Sequence, residues 1–307
     1  MEPNKKRQTL VQNITYMAIM AAINVVFVLL TALVPFLLFL IVFVLPLSST
    51  IVTLHCKKRY YPIYAVTTIG LCLLCTFAIG GIGDTIFYVI PSIITGFLFG
   101  FMVEKKVPSF WIIVCTTILQ IGFTYASIPL ITLMTGRDIV QDFATVFSIQ
   151  DFQYLNYVVP CFIFFISLSQ QIISYVVVRE ELPKFGYQLN EPKQLPLSLA
   201  IALGVSITLS MSLAFVPNCG PISFLMALFA MLFAIFATIY LLLEKKIVIY
   251  ICVGASFIIS IFLFAAIYPH MAKPLGLILV NIYFFAVAII VLINNYLLKG
   301  FKKDTIK

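Results

Sequence analysis

The chain of 307 residues is 63% hydrophobic and 10% charged. A soluble domain carries about a quarter charged residues, so this composition excludes that class. The formal net charge of +8 reads as flanking charge between membrane spans, because the basic residues fall in twos and threes beside apolar runs. No nucleic-acid partner is expected.

A hydrocarbon core takes about 20 apolar residues of helix to cross. Long unbroken apolar runs fit helices rather than a barrel. The expected fold is therefore all-α and polytopic, with about ten transmembrane helices and the lipid bilayer as first partner.

Span 1 is predicted over 14–33, between Lys5-Lys6-Arg7 and Pro35. Its apolar run is long for a signal-peptide core and no clean small-x-small cleavage site follows, so it reads as retained. Ala18-x-x-x-Ala22, with Ala21 beside it, offers small residues for packing within the protomer or for docking a partner helix. Span 2, over 36–54, contains Pro46 and runs into His55-Cys56-Lys57-Lys58-Arg59. Span 3, over 61–79, holds Cys72-x-x-Cys75, which mid-span and without a second pair reads as two small apolar residues. It ends in a Gly-rich loop closing at Asp84.

Span 4, over 86–103, carries Gly96-x-x-x-Gly100, a helix-packing spacing. Span 5, over 110–133, exits at Gly136-Arg137-Asp138. In the following loop, 135–156, Ile139, Val140, Phe143 and Phe147 suit a short interfacial helix. That loop reads as an ordinary interfacial connection or as a lid over an outward cavity. Span 6 covers 157–178, and a polar, Pro-bearing linker follows at 181–196. Spans 7–10 are placed at 197–216, 222–243, 247–268 and 275–298, with small residues at Ala200-x-x-x-Gly204 and at Ala227, Ala230, Ala234 and Ala237. The predicted organisation is a six-helix domain over 1–180, the linker, and a four-helix segment over 197–307.

With these spans, seventeen of the nineteen Lys and Arg residues fall on one side, and only Arg137 and Lys273 on the other. Positive charge resists translocation, so the basic side is expected to be cytoplasmic, with both termini on it. The expected location is the bacterial plasma membrane.

No Asp, Glu, Lys, Arg or His lies near the centre of a span. That weighs against a proton-driven pump, while sodium coupling through carbonyls and hydroxyls stays open. His55 and His270 fall on opposite sides, and there is no Walker loop, H-E-x-x-H or Asp-rich motif. No enzyme activity, cofactor or metal is expected. The candidate solute contacts are Asn24 and Gln120 near mid-depth, with Asp84, Arg137, Asp138 and Asp142 in the outside loops. Asn24 and Gln120 equally suit helix-to-helix bonding, as do Gln170, Gln171, Asn281, Asn294 and Asn295.

Ala18-x-x-x-Ala22, Pro35, the loop ending at Asp84 and Pro91-Ser-Ile-Ile-Thr-Gly96-Phe-Leu-Phe-Gly100 resemble the S components of energy-coupling factor transporters. The chain through about residue 200, including the linker from Arg179 to Pro196, is similar to the YybS-like family of bacterial membrane proteins. That family's N-terminal region is itself S-component-like. The resemblance implies capture of a small, vitamin-like solute from outside. It also implies delivery through span 1 to a transmembrane coupling subunit with ATPases. Spans 7–10 match no S component. The alternative expectation is a membrane scaffold of the bacterial envelope that works through helix packing.

Overall fold

The computed structural model describes residues 9–34, 38–77, 83, 85–136, 138–146, 152–187, 189–190, 196–243, 247–267 and 281–294. Among these residues every regular element is helical. The helices are α1 (Leu10–Leu33), α2 (Leu38–His55), α3 (Tyr61–Phe77), α4 (Ile90–Glu104), α5 (Ser109–Thr135), α6 (Ile139–Val146), α7 (Phe152–Glu181), α8 (Leu197–Ala214), α9 (Gly220–Leu243) and α10 (Ile247–Ile267). The last is α11 (Asn281–Asn294). Each of the ten predicted spans contains a described helix. By length and composition α1, α3, α5, α7, α8 and α9 are long and apolar enough to cross a membrane, whereas α2, α4, α10 and α11 offer shorter apolar stretches.

Local chemistry accounts for the helix ends. Thr9 Oγ1 accepts the Gln12 amide at 3.3 Å, satisfying one of the first-turn donors of α1. Gly136 ends α5 at φ +67°, the left-handed conformation open to glycine, and its amide reaches the Thr132 carbonyl. Pro91 sits in the first turn of α4. One wide turn, Thr85–Val89, leads into α4.

The chain divides into two compact units, Met1–Asp151 with Phe162–Glu191, and Phe152–Cys161 with Pro192–Lys307. In the first unit α1 packs on α2 and α3, α2 on α4, and α4 on α5. The tightest crossing is α2 on α4. A Cβ placed on Gly96 would stand 2.5 Å from Ser49 Cβ and 2.7 Å from the Pro46 carbonyl oxygen. One placed on Gly100 would stand 2.8 Å from Thr53 Cβ and 2.9 Å from the Thr50 oxygen. Thr50 Oγ1 donates to the Pro46 carbonyl at 2.7 Å and reaches the Gly96 carbonyl at 3.1 Å, stitching the two backbones together.

α1 buries Met17, Ala21, Asn24, Val28 and Thr31, spaced by fours and threes along one face. The opposite face leaves Ile19, Ile23, Val26, Leu30 and Leu33 exposed. Exposed apolar side chains in such a row need lipid or another helix against them.

In the second unit α8 packs on α9 and α9 on α10. Ala227, Ala230, Ala234 and Ala237 are all buried on α9. Gly204 of α8, by contrast, has open space where a Cβ would stand. Ser223 Oγ donates to the Ser210 carbonyl at 2.7 Å, and Asn281 Nδ2 to Ser210 Oγ at 3.0 Å. Those two bonds tie α8, α9 and α11.

Candidate functional site

The first unit holds a closed polar knot. Asn24 Nδ2 donates to Tyr64 Oη at 2.7 Å, and Ser48 Oγ donates to Asn24 Oδ1 at 2.7 Å. Ser48 Oγ and Ser49 Oγ each lie 3.4 Å from Tyr64 Oη. One carboxamide on α1 therefore bonds both α2 and α3. Asn24 is fully buried with both ends of its amide engaged, so the geometry makes it an interhelical clamp. Below it Tyr61 Oη donates to the Ile93 carbonyl at 2.6 Å, joining α3 to α4. Thr76 and Thr85 hydroxyls pair at 2.8 Å.

A second set of buried polar groups is not closed. Thr117 Oγ1 and Gln120 Oε1 on α5, and Ser167 Oγ, Gln170 Nε2 and Gln171 Nε2 on α7, have no hydrogen-bond partner among the described residues. All five residues are buried. Spacings of three on α5 and of three and four on α7 put each set on one helix face. At 1.5 Å per residue the α5 pair lies about 12–17 Å from Ser109, and the α7 trio about 15–21 Å from Glu181. The Ser109 amide at the start of α5 donates at 3.0 Å to the carbonyl of Asn190, nine residues past the end of α7. Both rows belong to the first unit. An unpaired buried polar group costs about 1–3 kcal/mol, so the rows carry a standing demand for partners.

The outside candidates are placed differently. Asp138 accepts the Val140 and Gln141 amides at 3.0 and 3.3 Å, capping α6. Asp142 lies in the first turn of that helix, where a carboxylate meets the positive end of the dipole. Both are exposed. Phe143 holds α6 to α7 through Phe162, with ring centroids 4.9 Å apart. Asp84, Arg137, Phe147, Asp151, His270 and Asn295 lie outside the described residues. No described hydrogen bond joins Asn24 or Gln120 to Asp138 or Asp142.

On α1, Ala18 and Ala22 face outward and are exposed, whereas Ala21 is only 3% exposed within the core. Ala21 thus does not share the docking face expected for the trio. One helical position turns the chain by roughly 100°, which separates neighbours onto different faces.

Sequence reasoning singled out neither Tyr187 nor Asn190. Tyr187 Oη donates to the Leu54 carbonyl at 3.1 Å, and its ring meets His55 edge-on at 5.8 Å. Asn190 Nδ2 donates to the Lys106 carbonyl at 2.8 Å. Within the stretch expected as a linker, these two residues bond to Leu54 and Lys106 of the same unit. Burial, with the Glu104 carboxylate as the lesser cause, pushes the Tyr187 phenol above its ordinary range. No local spacing announces these bonds, because they join residues more than eighty positions apart.

No family model matches the chain, and neither a curated protein nor a solved structure matches it. What fold and site define is a helical protein with six helices long and apolar enough to cross a membrane, and with an uncharged polar interior in its first unit.

Proposed function

We propose that the protein is a multi-pass subunit of the bacterial plasma membrane that binds a small polar solute entering from outside. It is not an enzyme in this reading. The first unit holds the solute, and the outward Ala18/Ala22 face of α1 docks on a transmembrane coupling subunit driven by ATPases, as the S-component-like resemblance implies. The observation that supports solute binding is the pair of unpaired rows, Thr117 with Gln120 and Ser167 with Gln170 and Gln171. In a low-dielectric interior, amides and hydroxyls without partners gain most from a ligand that supplies them. Asn24 belongs to the scaffold of this site, since its bonds are already made.

The test is small-molecule mass spectrometry on purified protein, followed by thermal unfolding with and without the retained compound. A ligand at one hundred times its dissociation constant stabilises by about 2.7 kcal/mol. Wild type is expected to retain a polar compound and gain that stability, and Gln120→Leu to lose both. Absence of any retained compound, with Gln120→Leu unaltered in its associations, overturns the reading.

The second reading is an envelope scaffold. The self-satisfied knot of Asn24, Ser48, Ser49 and Tyr64 favours it, because a filled bundle needs no solute. The exposed apolar surface of α10, including Ile247, Val248, Ile251 and Phe262, offers further contact area for partner helices.

A further inference from the structure

We propose that the junctions α2–α3 and α4–α5 together form a binding site for an anionic phospholipid. The headgroup phosphate lies at Lys58 and Lys105, and an acyl chain runs along Phe101 and Phe97.

Two ammonium groups converge on one ring. Lys58 Nζ stands 4.2 Å from the Phe101 centroid and Lys105 Nζ 5.9 Å from it. Glu104 pairs with Lys58 at 2.8 Å, which offsets one of the two charges. Lys105 has no ion pair among the described residues, and it is exposed. Arg59, over the Tyr60 ring at 4.6 Å, and Lys106 stand at the same two junctions, so that among the described residues there the cations outnumber the Glu104 carboxylate. The surplus selects an anion.

The groups beyond the charges select a lipid over a free phosphate. Phe101 and Phe97 stack at 6.4 Å, and Phe97 lies 4.5 Å from Tyr61, so an aromatic ladder runs from the cations down the side of α4 toward α3. Phe97 and Phe101 are half-buried, and Ile63 and Val66 on α3 are exposed. An inorganic anion would use the cations and leave this apolar surface bare. A phospholipid uses both, and its headgroup stands at the level where Lys side chains end. A cation near the membrane surface contributes about 1 kcal/mol to such binding, a fivefold effect on affinity.

The experiment is native mass spectrometry of the full chain in detergent, titrated with phosphatidylglycerol and with phosphatidylcholine of the same acyl chains. Preferential retention of phosphatidylglycerol is expected. Lys105→Gln should weaken it about fivefold, and Lys105→Arg should keep it. Lys184→Gln serves as the comparison, since Lys184 is already paired with Glu181 at 2.7 Å, and it should leave retention unchanged. Phe97→Ser should reduce retention of both lipids without removing the anionic preference. Monodisperse gel filtration checks that each variant is folded. Equal retention of the two lipids overturns the proposal. So does equal loss in the Lys105 and Lys184 variants, which signals only a diffuse charge field. Displacement by millimolar inorganic phosphate identifies a free-anion site and likewise overturns it.

Discussion

Gly96→Ala is the sharpest perturbation of this fold, and the structure fixes its magnitude. The new methyl would sit 2.5 Å from Ser49 Cβ, 2.7 Å from the Pro46 carbonyl oxygen and 3.1 Å from Pro46 Cα. Carbon pairs rest at about 3.5–4.0 Å, so α2 and α4 must part by roughly 1 Å. Two of the three obstacles are backbone atoms of α2, so no side-chain rotation relieves them. The separation also strains the Thr50 bond to the Gly96 carbonyl, now 3.1 Å. Overpacking costs about 1–3 kcal/mol, and an interhelical bond in lipid adds about 0.6 kcal/mol. The expected loss is therefore about 2–3 kcal/mol. Reversible unfolding in mixed micelles would measure it. Gly70 and Gly122 are the controls, because nothing lies within 4 Å of a Cβ at either. Gly122→Ala should be neutral or stabilising by up to about 1 kcal/mol from helix propensity. Adding Ser49→Gly to Gly96→Ala should recover only part of the loss, since Pro46 remains in the way. If Gly96→Ala and Gly122→Ala unfold alike, the close α2–α4 crossing is wrong.

Three further outcomes follow from the polar groups. Asn24→Leu should destabilise by about 1–2 kcal/mol, and a double-mutant cycle with Tyr64→Phe should show coupling of at least about 0.5 kcal/mol, because the two share a bond. Additive losses would contradict the knot. Gln120→Leu should raise thermal stability while removing any solute effect, since it replaces an unpaired buried amide with an apolar group; a destabilised variant would show that Gln120 already has a partner. Tyr187→Phe should speed amide exchange across 182–190 by removing the bond to the Leu54 carbonyl. The Tyr187 phenol is raised in the folded state, so its neutral form holds the clasp at neutral pH and the contribution disappears as pH climbs past the ordinary phenol range. Loss of protection there at alkaline pH in wild type, and none beyond the basal level in Tyr187→Phe, is the expected pair of results.

The helical class was legible in the sequence because a long apolar run meets its backbone hydrogen bonds within itself. Apolar runs must be helical, and Pro, Gly and charge interrupt them. Gly96-x-x-x-Gly100 was legible as a packing surface for the same reason, but the same spacing at Ala200-x-x-x-Gly204 meets open space at Gly204. Spacing reports that backbones can approach, and only the fold says whether anything does. Asn24 and Gln120 show the same limit. Both are uncharged side chains in apolar helices, yet one is saturated by Ser48 and Tyr64 while the other keeps an oxygen without a partner among the described residues.

Sequence alone thus determined composition, class and the ladder of apolar segments, since those are properties of single helices and of their solvent. Tertiary structure decided which polar groups meet. It paired Asn24 with residues 24 and 40 positions away, turned Ala21 inward while Ala18 and Ala22 stayed outside, and brought Lys58 and Lys105 onto one ring. It also fastened the 182–190 stretch to Leu54 and Lys106. Such pairings depend on how helices are rotated and stacked, and in a chain this uniformly apolar the local pattern constrains that rotation only weakly.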